Sequence, residues 1–254
     1  MTTATIVSDT ELQREVLEEL KFDPRLNPAH VGVSVKDGVV TLSGHVSSYA
    51  EAFAAVQAAS RVHGVKAVAN ELTVKLPESN ERSDEDIATD AVTELKSNSW
   101  VPADRIKVTV NAGWVKLEGE VDWQYQKEAA ENSVRFLRGV KGVSNLIKVR
   151  PRVPPSDLHS RIKDAFTRSA ETDARRIRVE VDGSKVILRG TVHSLAEKLE
   201  AERAAWSAPG VSEVDNRIIV VERKPLWFWV TVVVVVLALL TVLVALPVLF
   251  FRGG

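Results

Sequence analysis

Histidines, carboxylates and repeated asparagines are the residues of this chain whose types could do chemistry. The five histidines are His30, His45, His63, His159 and His193, and no two have metal-ligand spacing. None recurs at one position of the repeat described below, so a shared triad built on histidine is not expected. There is no cysteine, which excludes disulfides, thiolate zinc sites and cysteine nucleophiles. Asp84, Glu85 and Asp86 stand together at an expected helix start, where carboxylates complement the helix dipole. Asn70, Asn145 and Asn216 recur near a strand start, and backbone hydrogen bonding is their expected role. Neither a GxGxxG nor a P-loop pattern occurs. No catalytic, cofactor-binding or metal residue is assigned, and an enzyme is not expected.

The glycines supply a different signal. Gly44-x-Val46 is followed by Gly64-Val65-x-x-Val68-x-Asn70. The same spine returns from Gly119 to Gly139 to Asn145, and from Gly190 to Gly210 to Asn216. The two glycines are 20 residues apart in every copy, and the copies are offset by 75 and then 71 residues. A period this long predicts small independent domains in an array. A formal charge of −1, with 26% charged residues, does not suit a nucleic-acid polycation, despite the cluster Arg175, Arg176 and Arg178.

Each copy opens on a Ser-Asp pair, at Ser8, Ser83 and Ser156, and the serine is an expected N-cap. An amphipathic helix follows. Its apolar positions are Leu12, Val16, Leu17 and Leu20, then Ile87, Ala91, Val92 and Leu95, then Leu158, Ile162, Ala165 and Phe166. Alternation then marks a strand through Val31, Val33 and Val35, and its counterparts begin at Ile106 and Ile177. Hairpin turns are expected at Asp37-Gly38, Ala112-Gly113 and Asp182-Gly183. On the return strand, parity puts Gly44, Gly119 and Gly190 on the buried face, where they would admit an alanine-rich second helix starting near Tyr49, Gln124 and Leu195. Gly64, Gly139 and Gly210 are expected as C′ residues of that helix. A third strand completes each copy, at 68–74, 143–149 and 214–220. The fold class is α+β: three tandem αββαβ domains, each with two helices on one face of a three-stranded sheet. The opposite face is polar, and Trp114 on it is the candidate partner contact.

The last part of the chain is unlike the rest. Residues 226–251 are 26 in number, carry no charge and are rich in Val and Leu. As a helix they would span roughly 39 Å at about 1.5 Å per residue, enough to cross a bilayer core of about 30 Å. Arg223, Lys224, Trp227 and Trp229 at one end and Arg252 at the other are the expected interface residues. Thr241-x-x-x-Ala245 is a small-xxx-small pattern that would suit helix pairing, but the oligomeric state is not legible. The expected layout is a tail at 1–7, domains at 8–77, 83–151 and 156–222, and linkers at 78–82 and 152–155. A juxtamembrane linker at 223–225, the transmembrane helix at 226–251 and a tail at 252–254 follow. So short a juxtamembrane linker would hold the third domain near the bilayer.

The strand ending Gly-x-Val, the alanine-rich helix and the Gly-Val-x-x-Val-x-Asn run resemble the BON domain (bacterial OsmY and nodulation), in three copies over residues 8–222. The resemblance implies the αββαβ fold and a bacterial protein. It implies association with envelope stress and osmotic shock, binding to phospholipid membranes, and attachment to partners such as secretins and mechanosensitive channels. It carries over no catalytic residue. Many such proteins start with an export or lipoprotein signal, which the first residues here do not resemble, and the C-terminal run departs from that layout.

These readings converge on a non-enzymatic, tail-anchored protein whose modules contact membrane phospholipid or an envelope protein partner, with no nucleic acid and no cofactor. The expected location is the bacterial inner (cytoplasmic) membrane, single-pass, with the domains on the cytoplasmic side; periplasmic domains are the alternative. One competing function is a scaffold that docks a membrane channel or secretion component. Another is ion or small-ligand sensing between modules.

Overall fold

The computed structural model describes residues 8–150, 176–208 and 210–221. The expected first helix of the third copy, His159, the linker 152–155, Arg223, Lys224 and the run 226–251 with Trp227 and Trp229 lie outside the described residues, as does Arg252. Among the described residues, no helix is long and apolar enough to cross a membrane.

The first copy comprises α1 (Asp9–Phe22), β1 (Val31–Lys36), β2 (Val39–Val46), α2 (Tyr49–Arg61) and β3 (Ala67–Val74). The second repeats it as α3 (Asp84–Ser97), β4 (Ile106–Asn111), β5 (Trp114–Val121), α4 (Gln124–Arg135) and β6 (Gly142–Val149). The third shows β7 (Ile177–Asp182), β8 (Lys185–Val192), α5 (Leu195–Trp206) and β9 (Glu213–Val220). In each sheet the return strand is central, antiparallel to the strand before it and parallel to the one after it. The parallel pair requires a crossover, and the second helix supplies it.

The capping serines act as expected where described. Ser8 and Ser83 each accept a hydrogen bond from the backbone N–H three residues on, Glu11 and Asp86, and so serve a first-turn donor. The neighbouring aspartates do something that sequence alone did not show. Asp9 accepts from the Asp37 and Gly38 amides at 2.9 and 3.2 Å. Asp84 accepts from Ala112 and Gly113 at 2.7 and 2.9 Å. One carboxylate thereby fastens the first helix to the hairpin turn, which leaves its amides free because Asp37 and Ala112 adopt positive φ. The third hairpin differs from expectation by one residue: Asp182 pairs with Lys185, so the turn is Gly183-Ser184, with φ +58 at Gly183. Only the first turn residue there has positive φ, which makes glycine the suitable occupant.

Each core fills the space between one sheet and its helices. Leu20, Val40, Leu42, Ala55, Ala58 and Ala59 are fully buried in the first copy. Ile87, Ala91, Leu95, Val115, Leu117 and Ala130 do the same in the second. Full burial of each leucine or isoleucine contributes about 1.5–3 kcal/mol. Val92, expected on the core face, is exposed; the buried stripe runs through positions four apart, Ile87, Ala91 and Leu95. The copies are also not independent. Tyr49 of α2 packs against the core of the second copy, and burial pushes its phenol above the usual value.

Candidate contact surface

The repeated glycines have a backbone task. Gly44, Gly119 and Gly190 have φ of +103, +147 and +141. A Cβ on any of them would lie 2.1 Å from a carbonyl oxygen, that of His30, Arg105 or Arg176. The close neighbour is therefore the chain entering the first strand, not the alanine-rich helix. Register keeps them on the core-side face, directly opposite Val31, Ile106 and Ile177, which pack into or against the cores, although Gly44 is itself exposed and the other two half-buried. Gly64, Gly139 and Gly210 are not helix C′ residues either, since α2, α4 and α5 end three or four residues earlier. Each is the third residue of a turn closed by a backbone bond, Val65 to Val62, Val140 to Leu137 or Val211 to Ala208. Their φ of +87 to +96 is the one a type II turn demands at that place.

Asn145 and Asn216 bond backbone, as expected, and extend further. Asn145 Nδ2 donates to Lys127 O at 2.9 Å and to Glu131 at 3.1 Å. Asn216 repeats this with Lys198 O and Glu202, both at 3.1 Å. Asn70 bonds the Leu72 amide, and Val56 stands in its copy where the carboxylate would be.

The outer sheet faces carry charge that is largely paired. In the third copy Lys185 meets Glu213 at 2.6 Å, Arg217 meets Asp215 at 2.7 Å and Arg189 meets Glu180 at 3.4 Å. The hydrogen bond from Arg217 pulls the Asp215 carboxyl down, and the bond to Glu213 pushes the Lys185 ammonium up. Trp114 is 56% exposed, yet a Cβ on its cross-strand neighbour Gly142 would fall 2.4 Å from the indole ring. The glycine thus leaves a seat that the ring fills, a packing role for the candidate partner contact. In the first copy His30 and His45 stack with centroids 4.5 Å apart. Desolvation, then Lys75 and His30, lowers the His45 value, which favours neutral imidazole.

The second helices make the seams between copies. Arg135 is buried, pairs with Glu131 at 2.6 Å and lies 3.6 Å above the Phe53 ring of the first copy. Since Glu131 also accepts from Asn145, the repeat spine of the second copy connects directly to its contact with the first. On the other side, Gly64 N–H donates to His193 O at 3.0 Å, and the His63 and His193 rings stack at 6.4 Å. Arg176 reaches His193 Nε2 at 2.5 Å; a guanidinium can only donate, so that nitrogen accepts and Nδ1–H faces Val221 O. Sequence spacing had separated His63 from His193. Between α2, α4 and α5 is an open cavity of about 450 Å³ lined by Phe53, Val56, Leu199 and Trp206, with Arg61 and Glu128 among its polar groups. Arg61 is already engaged by Glu19 at 2.9 Å and Asp23 at 3.3 Å. Arg25 and Arg61 hold the buried Asp23 carboxyl well below the usual carboxylate range. No group of three or more metal-ligating side chains occurs among the described residues.

This geometry repeats at the three places where the BON domain model matches the chain: residues 8–75, 83–151 and 156–222. The chain belongs to the BON domain family. Among curated proteins it is similar to osmotically-inducible protein Y of Escherichia coli (strain K12), with 33% identity over 150 residues, 57% of this chain and 74% of that protein. It is also similar to a 21 kDa hemolysin of Actinobacillus pleuropneumoniae, with 30% identity over 148 residues and the same coverages, 57% and 74%. The C-terminal domain of CdsD, a type III secretion structural protein of Chlamydia trachomatis, matches with a TM-score of only 0.23 and 12% identity, covering 84% of this chain and 99% of that one. So slight a likeness bears on neither fold nor function.

BON domain 2 has one feature that the other two lack. Ser48 and Ser194 cap the second helix of BON domains 1 and 3 by accepting from the amides of Glu51 and Glu197. The matching residue in BON domain 2 is Trp123, whose indole cannot accept such a bond. The reverse half of the cap is kept, the Gln126 amide oxygen accepting from Asp122 and Trp123 N–H at 3.0 and 3.1 Å as Glu51 and Glu197 accept from Ser47 and His193 N–H. Trp123 is 38% exposed and its ring lies 6.4 Å from Tyr125, itself 51% exposed. Trp100, 68% exposed, meets Tyr125 edge-on at 6.3 Å. Sequence reasoning passed over this cluster. The signal was available as the one aromatic residue in a series that otherwise reads Ser48 and Ser194.

Proposed function

We propose that the chain is a non-enzymatic, membrane-anchored binding protein whose BON domains contact phospholipid surfaces or envelope partners during osmotic or envelope stress. The observation that carries this reading is the charge-free run 226–251 in a chain with three BON domains. Its similarity to osmotically-inducible protein Y supports the stress context. The repeated glycines, asparagines and aspartates described above serve turns, strand entry and helix attachment, so specificity falls to the surfaces that differ between copies. Several weak contacts held beside a bilayer gain effective concentration, which suits a multivalent binder.

In this reading residues 226–251 cross the inner membrane and the BON domains face the cytoplasm, in keeping with Arg223 and Lys224 before the run. The test is alkaline extraction of membranes, with topology reporters placed before Met1 and after Gly254. Retention in the pellet, with the reporters on opposite sides, is the expected result. Release of the whole chain by alkali would remove the anchor, and an outward N-terminal reporter would move the domains to the periplasmic side.

A further inference from the structure

We propose that the cavity between α2, α4 and α5 binds a small organic ammonium ion with an apolar body, its charged nitrogen held by Glu128 and the face of Trp206. The site goes beyond the membrane reading above and does not depend on an anchor. Its volume of about 450 Å³ lies within the range of about 300–1,000 Å³ usual for small-ligand sites. Phe53, Val56 and Leu199 supply apolar wall, and Trp206 adds an indole that packing against the core of BON domain 3 holds in place.

The repeat explains both the space and its chemistry. With copies offset by 75 and then 71 residues, Phe53, Glu128 and Leu199 are equivalent, and so are Ser60, Arg135 and Trp206. Where BON domain 1 meets BON domain 2, the Arg135 guanidinium lies 3.6 Å from the centre of the Phe53 ring and pairs with Glu131 at 2.6 Å. That seam carries an aromatic face, a carboxylate and a cation of its own. Carried round the copies, the same relation sets Glu128 against Trp206 and Leu199 against Ser60, and all four line the cavity. Glu128 and Trp206 again offer a carboxylate and an aromatic face, but neither is a cation. Leu199 and Ser60 are smaller than Phe53 and Arg135, which leaves room for a ligand to bring one.

Charge on the wall favours a cation. Glu128, Glu200 and Glu202 line the space with two guanidiniums, those of Arg61 and Arg203. Arg203 is engaged by Glu200, and Arg61 by Glu19 and Asp23. Glu202 accepts from Asn216 at 3.1 Å. Glu128, half-buried, accepts from the neutral Gln124 amide at 3.2 Å, and among the described residues no lysine or arginine pairs with it. A metal ion fits poorly, because one such carboxylate among apolar groups cannot replace a shell of oxygen ligands. A substituted ammonium ion needs only one anionic partner and gains from the indole face and from apolar contact.

The test is calorimetric titration of the full chain, in nonionic detergent, with benzyltrimethylammonium and with benzenesulfonate, which joins a similar ring to a negative charge. The expected result is saturable one-to-one binding of the cation and none of the anion. Glu128→Gln removes the charge yet leaves an oxygen for Gln124, and should weaken binding about tenfold. Leu199→Trp fills the space with a ring and should abolish binding; because Leu199 is 46% exposed, the larger side chain spares the core. Circular dichroism checks that each variant is folded, and Leu199→Trp decides alone should Glu128→Gln not fold. Absence of cation binding, equal binding of benzenesulfonate, or binding unchanged in a folded variant overturns the site. None of these results bears on anchoring, which alkaline extraction tests separately.

Discussion

BON domains 1 and 3 start their second helix on a serine that accepts a first-turn amide, and BON domain 2 starts the same helix on Trp123. Around that point the three copies are nearly superposable in logic: the same strand register, the same positive-φ glycine against the same carbonyl, the same turn before the third strand. One position therefore departs from a rule that its surroundings keep. The contrast separates two kinds of selection. The glycines recur because backbone geometry leaves no alternative, whereas at Trp123 backbone geometry would accept serine and does not account for the indole.

The shared part of that contrast is broken most severely at the strand glycine. Gly119→Val places a branched side chain at φ +147 and a Cβ 2.1 Å from the Arg105 carbonyl oxygen. Strain and overpacking together should cost about 3 kcal/mol or more. Gly44→Val and Gly190→Val should match it, because their Cβ atoms would meet His30 and Arg176 oxygens at the same 2.1 Å. Chemical denaturation of the three variants checks this. A Gly119→Val protein as stable as the parent would mean that the carbonyl is free to withdraw.

The aspartate that fastens helix to hairpin comes next. Asp84→Ala removes two hydrogen bonds to the Ala112 and Gly113 amides and should destabilise BON domain 2 by about 1–2 kcal/mol. Asp9→Ala should do the same to BON domain 1. Hydrogen exchange at the two turns distinguishes them, with faster exchange confined to the substituted copy. Equal exchange in both would show that the bonds do not hold the turns.

What could be read in advance followed this division. Among the described residues the helices, the strands and the N-capping Ser8 and Ser83 were legible, because each is a periodic or nearest-neighbour property of the chain. The purpose of Gly44 and its counterparts was not, because alternation tells which face a residue occupies and nothing about its φ or about a carbonyl 14 residues earlier. The seams were hidden for a similar reason: Arg135 over Phe53 and His63 beside His193 join residues that no local pattern relates. Trp114 is aromatic on a polar face, and the seat that Gly142 leaves for its ring is a cross-strand feature that alternation does not show. Trp123 is the opposite case, legible only when the copies are laid over one another.

Acid response offers a finer comparison between copies. Burial pushes the Glu51 carboxyl up, but hydrogen bonds from the Asn27 and Ser47 amides and the Ser47 hydroxyl outweigh it and leave the value below normal. A depressed carboxylate contributes stability above its unfolded value, about pH 4.3, and that contribution is lost as pH falls through the lower folded value. BON domain 2 has neutral Gln126 at the matching place and lacks this dependence. Glu51→Gln should cost about 1 kcal/mol at neutral pH and reduce the loss of stability below about pH 4.3. Denaturation curves between neutral and acidic pH measure it; an unchanged acid slope would assign the sensitivity elsewhere.

The smallest effect is the most informative, because its sign is unusual. Trp123→Ser restores the cap that Ser48 and Ser194 provide, letting a hydroxyl accept from the Gln126 amide. The variant should be more stable than the parent by about 0.5–1 kcal/mol. The melting temperature of the variant against the parent measures it. A gain in stability would show that this copy gives up folding stability by carrying an indole where the others carry serine. A loss of stability would instead mean that the Trp123 ring packs usefully against Tyr125, and the departure from serine would then belong to the fold after all.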